Sequence, residues 1–118
     1  MGARMSAVFI LTRDLEAMTT FYRDVLGLRL AYGEAGQFSF FETSPGGVQI
    51  ALYPGRRAET PAEPYWFTVL DVTDIERVAA SLRASGVAVS AIEDVPFGRA
   101  AQFADPEGNR IEIHQPVA

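Results

Sequence analysis

The run Arg110-Ile111-Glu112-Ile113-His114 spaces three polar side chains two apart, with isoleucine between them. Drawn out as a strand, it turns Arg110, Glu112 and His114 to one face and Ile111 and Ile113 to the other. A carboxylate and an imidazole sharing one surface can accept hydrogen bonds, pair with a cation or move a proton. Glu112 is therefore the candidate ligand acceptor, charge partner or general base. His114 is the candidate proton carrier, because imidazole is the side-chain type that exchanges protons near neutral pH. Arg99 follows Phe97-Gly98 at the start of another extended run. From there a guanidinium could pair with Glu112, hold an anionic group of a ligand or join an ordinary salt bridge at the rim.

The rest of the composition narrows this chemistry. His114 is the single histidine in 118 residues, so a site with two or three imidazole ligands cannot be built within one chain. The lack of cysteine removes thiolate nucleophiles, disulfides, iron–sulfur sites and thiolate zinc sites. Fifteen acidic against ten basic residues give a net charge of -5, which argues against duplex nucleic acid and anionic membranes as general partners. No apolar run reaches the roughly 18 residues that a membrane span needs. Met1-Gly2-Ala3-Arg4-Met5 does not resemble a signal peptide, so the expected location is the cytoplasm. Ser44-Pro45-Gly46-Gly47 is not followed by a helix and makes no phosphate cradle. Asp105-Pro106-Glu107-Gly108-Asn109 lacks the ligand pattern of a calcium loop and reads as a hairpin turn.

The elements that must position these residues come twice. Ser6 to Leu11 reads as a buried strand, and Asp14 then caps a helix whose Leu15, Met18, Phe21, Tyr22, Val25 and Leu26 recur at the helical period until Gly27. Extended runs follow at 28–32, 37–42 and 48–53, separated by the turn signals Gly33 to Gly36 and Ser44 to Gly47. In the second half a strand at 65–72 leads to Asp74 and a helix with Ile75, Val78, Ala79 and Leu82 on one face, ending near Gly86. Strands are expected at 87–92, 99–104 and 109–114. A slide of 60 residues lays Asp14 on Asp74, Glu16 on Glu76 and Arg23 on Arg83, in phase with the repeated order of elements. The expectation is an α+β fold, a single domain over 1–118 made of two βαβββ modules at about 5–54 and 64–115. A proline-rich linker at about 55–63 joins them. One face of each sheet lies under a helix, and the paired curved sheets would enclose a cleft between their other faces.

Two stretches carry a resemblance over nearly the whole chain. Asp14-Leu15-Glu16 with Phe21-Tyr22 and Leu26-Gly27-Leu28, and Pro96-Phe97-Gly98-Arg99 with Asp105-Pro106-Glu107-Gly108-Asn109-Arg110-Ile111-Glu112, resemble the vicinal-oxygen-chelate superfamily. That superfamily includes glyoxalase I, extradiol dioxygenases and bleomycin-resistance proteins. In metal-dependent members the resemblance implies four ligand positions, on the first, fourth, fifth and eighth strands. They fall here on Ala7, on Gln49 with Ala51 as the same-face fallback, on Phe67 or, in another register, Pro64, and on Glu112. One carboxylate and one amide are too few for a catalytic divalent ion, for which three protein ligands are typical. No metal and no cofactor is expected, and glyoxalase I or ring-cleaving activity is not.

What remains is a cleft for an organic molecule. Strand alternation turns Phe9 and Leu11 into it beside Ala7, and Phe67 and Val69 on the fifth strand; in the other register Trp66 enters instead. Phe38 and Phe40 share a face of the third strand and are either core or platform, and Tyr32 and Tyr53 lie at strand ends where a phenol suits a cleft mouth. Similarity to the bleomycin-resistance branch implies a metal-independent homodimer that sequesters a small aromatic or amphipathic compound, as in antibiotic resistance. Whether the cleft closes within one chain or across the dimer is open. Two alternatives stand beside this: a glyoxalase-like lyase, isomerase or hydrolase with Glu112 as base and His114 or a tyrosine as acid, and a structural or regulatory dimer with a vestigial cleft.

Overall fold

In a computed structural model, described at residue 2 and over 5–55, 67–96 and 98–117, the chain divides into two compact units, Met1–Thr60 and Pro61–Ala118. The first holds β1 (Ala7–Thr12), α1 (Leu15–Thr20) continuing into a π-helical turn (Phe21–Val25), β2 (Arg29–Glu34), β3 (Phe38–Glu42) and β4 (Gln49–Pro54). The second holds β5 (Thr68–Asp71), α2 (Ile75–Ala84), β6 (Glu93–Val95), β7 (Gly98–Ala104) and β8 (Arg110–Pro116). Their sheets run β1-β4-β3-β2 and β5-β8-β7-β6. In each, the first strand lies parallel to the last and the other neighbours are antiparallel. The expected α+β fold of two βαβββ modules is thus present. Trp66, Pro64 and most of the expected linker lie outside the described residues.

Each sheet buries one face under its own helix. In the first unit α1 packs on β3 and β4, and Met18, Phe21 and Tyr22 join Ile10, Phe41, Ile50 and Leu52 in the core. Thr19 Oγ1 and Ser39 Oγ, 2.8 Å apart, tie the helix to β3. In the second, α2 packs on β7 and β8, and Ile75, Ala79 and Leu82 are buried with Ala101, Phe103, Ile111 and Ile113.

Both helices start as their aspartates dictate. Asp14 accepts from Ala17 N at 3.0 Å and Asp74 from Arg77 N at 3.2 Å, so each carboxylate satisfies a backbone N–H that the first turn leaves without a partner. Asp14→Ala or Asp74→Ala should each cost about 1 kcal/mol of stability, read as a lower denaturation midpoint at unchanged slope.

Three local features depart from the pattern. The first helix is not regular to its end: Leu26 N donates to Phe21 O at 3.0 Å across five residues, the spacing of a π turn. Gly27 follows Asp14 by thirteen residues, whereas Gly86 follows Asp74 by twelve. The extra residue is what the wide turn takes up. The run 87–92 is not a strand, and pairing with β7 starts only at Glu93. There Ser90 N donates to Gln102 O and Gln102 N donates to Ser90 Oγ, both at 2.9 Å, so a hydroxyl replaces the ladder carbonyl. Finally, Gly33 and Glu34, expected in a turn, extend β2, with Glu34 opposite Phe38.

Candidate functional site

The face of the first sheet turned away from α1 is aromatic. Along β1, Phe9 and Leu11 are each 55% exposed while Ile10 and Thr12 between and after them are buried, the alternation of a strand with one covered side. Phe9 stacks on Tyr53 with ring centroids 5.1 Å apart and meets the edge relation with Phe40 at 5.8 Å. Tyr32 stacks on Phe40 at 4.6 Å. Phe38 reaches Phe40 at 5.7 Å, Tyr53 at 5.9 Å and Tyr32 at 6.1 Å. Phe9, Tyr32, Phe38, Phe40 and Tyr53 therefore form one continuous plate. Gln49 lies beside it, opposite Ala7 in the parallel ladder.

Tyr32 is the member that alternation misassigns. Leu30 pairs with Phe41, on the helix side, and simple alternation would send Tyr32 to that side too. A bulge between Leu30 and Tyr32 instead sets Tyr32 opposite Phe40 and turns its ring onto the plate. Ala31-Tyr32-Gly33 carries no sequence signal for that extra residue beyond the glycine.

The corresponding face of the second sheet mixes polar and apolar side chains. Phe67 and Val69 are exposed, and Val69 and Gln102 flank Glu112 in the ladder. Gln102 Nε2 donates to Glu112 Oε1 at 3.1 Å. His114 lies opposite Asp71, with Nδ1 3.1 Å from Oδ1. The Arg110 guanidinium sits 5.5 Å from the centre of the Phe67 ring, within cation–π range.

Arg99 is not on this face. It alternates with Ala101 and Phe103 on the side covered by α2, where Nη2 donates to Glu76 Oε1 at 3.3 Å and Nε lies 4.0 Å from Asp94. The expected pairing of Arg99 with Glu112 is corrected, because strand phase puts the two residues on opposite faces of the sheet, and Arg99 is in an ordinary salt bridge, the other expectation. In the first unit, on the helix side of the sheet, the π turn carries an Arg23–Asp24 pair at 2.8 Å. The hydrogen bond raises the Arg23 guanidinium above its usual range and holds the Asp24 carboxyl below its own.

The metal positions implied by the resemblance can be compared within each unit. Ala7 is opposite Gln49, and Glu112 is opposite Val69. At the 60-residue offset Val69 matches Phe9, whose neighbour on β4 is Ala51. The counterpart of Glu112 in the first unit is therefore a buried alanine rather than Gln49. Alanine, phenylalanine and a single carboxylate held by Gln102 do not fit a catalytic divalent ion.

Among the described residues, no helix is long and apolar enough to cross a membrane. The family model for the Glyoxalase/Bleomycin resistance protein/Dioxygenase superfamily matches residues 4–113. Among solved structures, TnmS3, an antibiotic binding protein from Streptomyces sp. CB03234, aligns with a TM-score of 0.83 at 24% identity, covering 98% of this chain and 97% of that one. A glyoxalase/bleomycin resistance protein/dioxygenase from Nocardioides aligns at 0.79 and 26% identity, over 99% and 85% of the two chains. A glyoxalase/bleomycin resistance protein from the same Streptomyces aligns at 0.77 and 25%, over 95% and 100%. No curated protein matches the chain. Because the model spans almost the full length and these structures share the fold end to end, the chain belongs to the glyoxalase/bleomycin resistance protein/dioxygenase superfamily.

Proposed function

We propose that this protein binds a small aromatic or amphipathic molecule without a metal, on the aromatic plate of its first unit, and sequesters it rather than transforming it. The observation that carries this reading is the plate itself. The unit already has a core on the other side of the sheet, and yet Phe9 at 55% and Tyr32 at 53% remain exposed within a contiguous set of five rings. Contiguous exposed apolar surface of this kind marks a binding site more often than a scattered ring does. Covering apolar area is favourable by about 25 cal/mol per Å², and a flat ligand gains stacking geometry as well. The antibiotic binding described for TnmS3 and the bleomycin-resistance description of two of the structures above agree with this role. A homodimer in the cytoplasm, with an interface of at least about 1,000 Å², completes the proposal.

Glu112, on the open face of the second sheet, is proposed as the charge partner of a cationic group on a bound molecule. Its Oε1 is engaged by Gln102, which orients the carboxylate without neutralising it. Once a ligand has been found by thermal-shift screening, Glu112→Gln should weaken it by roughly 1.5–3 kcal/mol in calorimetric titration, with the fold unchanged. For a molecule seated on the plate, Phe9→Ala should weaken binding through lost stacking. If a library of flat cationic compounds gives no ligand whose affinity depends on Phe9, the proposal fails. An enzyme using Glu112 as base would show the opposite balance: turnover would fall much more than affinity in Glu112→Gln.

A further inference from the structure

The aromatic plate has a polar end within its own unit. Read across the sheet in the order β1-β4-β3-β2, the row Phe9, Ala51, Phe40, Tyr32 lies next to the row Ala7, Gln49, Glu42, Arg29. Positions two apart on a strand share a face, so both rows lie on the side away from α1, about 7 Å from each other. The bulge in β2 lets the three steps from Arg29 to Tyr32 match the two from Glu42 to Phe40, which keeps Arg29 and Tyr32 on the same face. In the aromatic row only the methyl group of Ala51 stands between Phe9 and Phe40, and their ring centroids close to 5.8 Å.

The polar row holds an ion pair at its edge. Arg29 Nη1 donates to Glu42 Oε2 at 2.7 Å. The Arg29 side chain is 77% exposed and that of Glu42 33%, so the guanidinium reaches in from solvent to a carboxylate lodged against the sheet. The pair balances its own charge. Among the described residues, the other carboxylate oxygen, Oε1, has no protein hydrogen bond, and neither has the side-chain amide of Gln49, which stands opposite Glu42 on β4. This end therefore presents an acceptor on Glu42 beside an amide on Gln49 that both donates and accepts.

We infer that the polar end of the plate selects a carboxamide edge, an N–H beside a C=O, carried on a flat ring system, with Glu42 Oε1 accepting the N–H and Gln49 donating to the carbonyl. This rests on the plate being the binding surface, as proposed above, and names the ligand class more closely. A bare hydrocarbon ring that covered this row would strip water from Glu42 and Gln49 and return no hydrogen bond, which is costly. An anion would meet the Glu42 carboxylate and gain only Arg29, whose exposure leaves an ion pair little to contribute. One amide edge pairs both groups, and two fused rings are long enough to reach from the polar row to the aromatic one.

The probes are 2-naphthamide and 2-acetylnaphthalene, which share the rings and the carbonyl and differ by an amino group in place of a methyl group. In calorimetric titration of the whole chain the amide should bind roughly 5- to 10-fold more tightly, although it gives up more water. Glu42→Leu should abolish that preference. Gln49→Leu should weaken both probes, because both keep the carbonyl, and Phe9→Ala should also weaken both. The comparison on the unsubstituted protein needs no variant to fold. Equal affinities there, or a tighter ketone, overturn the inference and leave the plate standing when both probes still depend on Phe9. A preference for the amide that survives Glu42→Leu also overturns it. Binding of neither probe removes both readings.

Discussion

Phe41→Ala is expected to cost about 3–5 kcal/mol of folding stability, while Phe9→Ala is expected to cost about 1 kcal/mol or less. Both rings lie in the same sheet of the first unit. Phe41 is fully buried on the helix side, with its ring 5.9 Å from Tyr22. Removing it leaves a cavity under α1 that neighbours held by the Thr19–Ser39 hydrogen bond can only partly fill. Phe9 stands on the opposite face, and its loss exchanges ring contacts with Tyr53 and Phe40 for water. Urea unfolding of the two variants checks this. Equal losses would mean that the plate is a second packed core, and the proposed binding surface would then be wrong.

Gly98→Ala is the second large effect. Gly98 opens β7 at φ 151°, a region that side chains rarely enter, and a Cβ built there would overlap the carbonyl oxygen of Gln115 on the adjacent strand. Relief requires β7 and the end of β8 to separate. Gln115 cannot move freely, because its Oε1 accepts from Ile75 N at 2.9 Å and so helps to cap α2. Clash, backbone strain and a disturbed cap fall on one residue. The expected cost is roughly 3 kcal/mol or more. Gly46→Ala is the control: its φ of 73° is also left-handed, but nothing lies within 4 Å of the added carbon, so the cost should stay near about 1–2 kcal/mol. Thermal unfolding that shows the two variants equally stable would reject the steric account.

The features legible in the sequence are those that depend on near neighbours. Alternation along Ala7–Thr12 and Arg110–Pro116 separates helix-facing from open positions, and the aspartate caps announce both helices. Relations between strands were not legible in the same way. Tyr32 joins the plate through a bulge that only pairing with β3 reveals. Arg99 was associated with Glu112 because both lie in neighbouring extended runs, yet counting across the β7–β8 ladder sets Arg99 opposite Gln115, on the helix side. Asp71 escaped notice as a partner of His114 because 43 residues separate them and only the parallel ladder brings them together. The strand expected at 87–92 failed for a local reason: Ser90 offers its own hydroxyl to the backbone it should have paired with.

The wide turn at Phe21–Val25 bears on how this chain tolerates changes in length. An added residue in a strand reverses every side chain beyond it. Here the surplus residue is swallowed inside a helix whose entry at Asp14 and exit at Gly27 are both fixed, the exit by a left-handed glycine at φ 74° just as Gly86 at 88° closes α2. Deleting one residue from that turn should shorten the first helix to the regular form of the second and leave the phase of everything downstream intact. Deleting the surplus residue of the bulge, Ala31, would leave Tyr32 opposite Phe40 in a regular ladder, whereas a residue added elsewhere in Arg29–Glu34 would turn the side chains beyond it to the other face. A one-residue change in length is therefore cheap inside the helix and costly within the paired strand that begins four residues later.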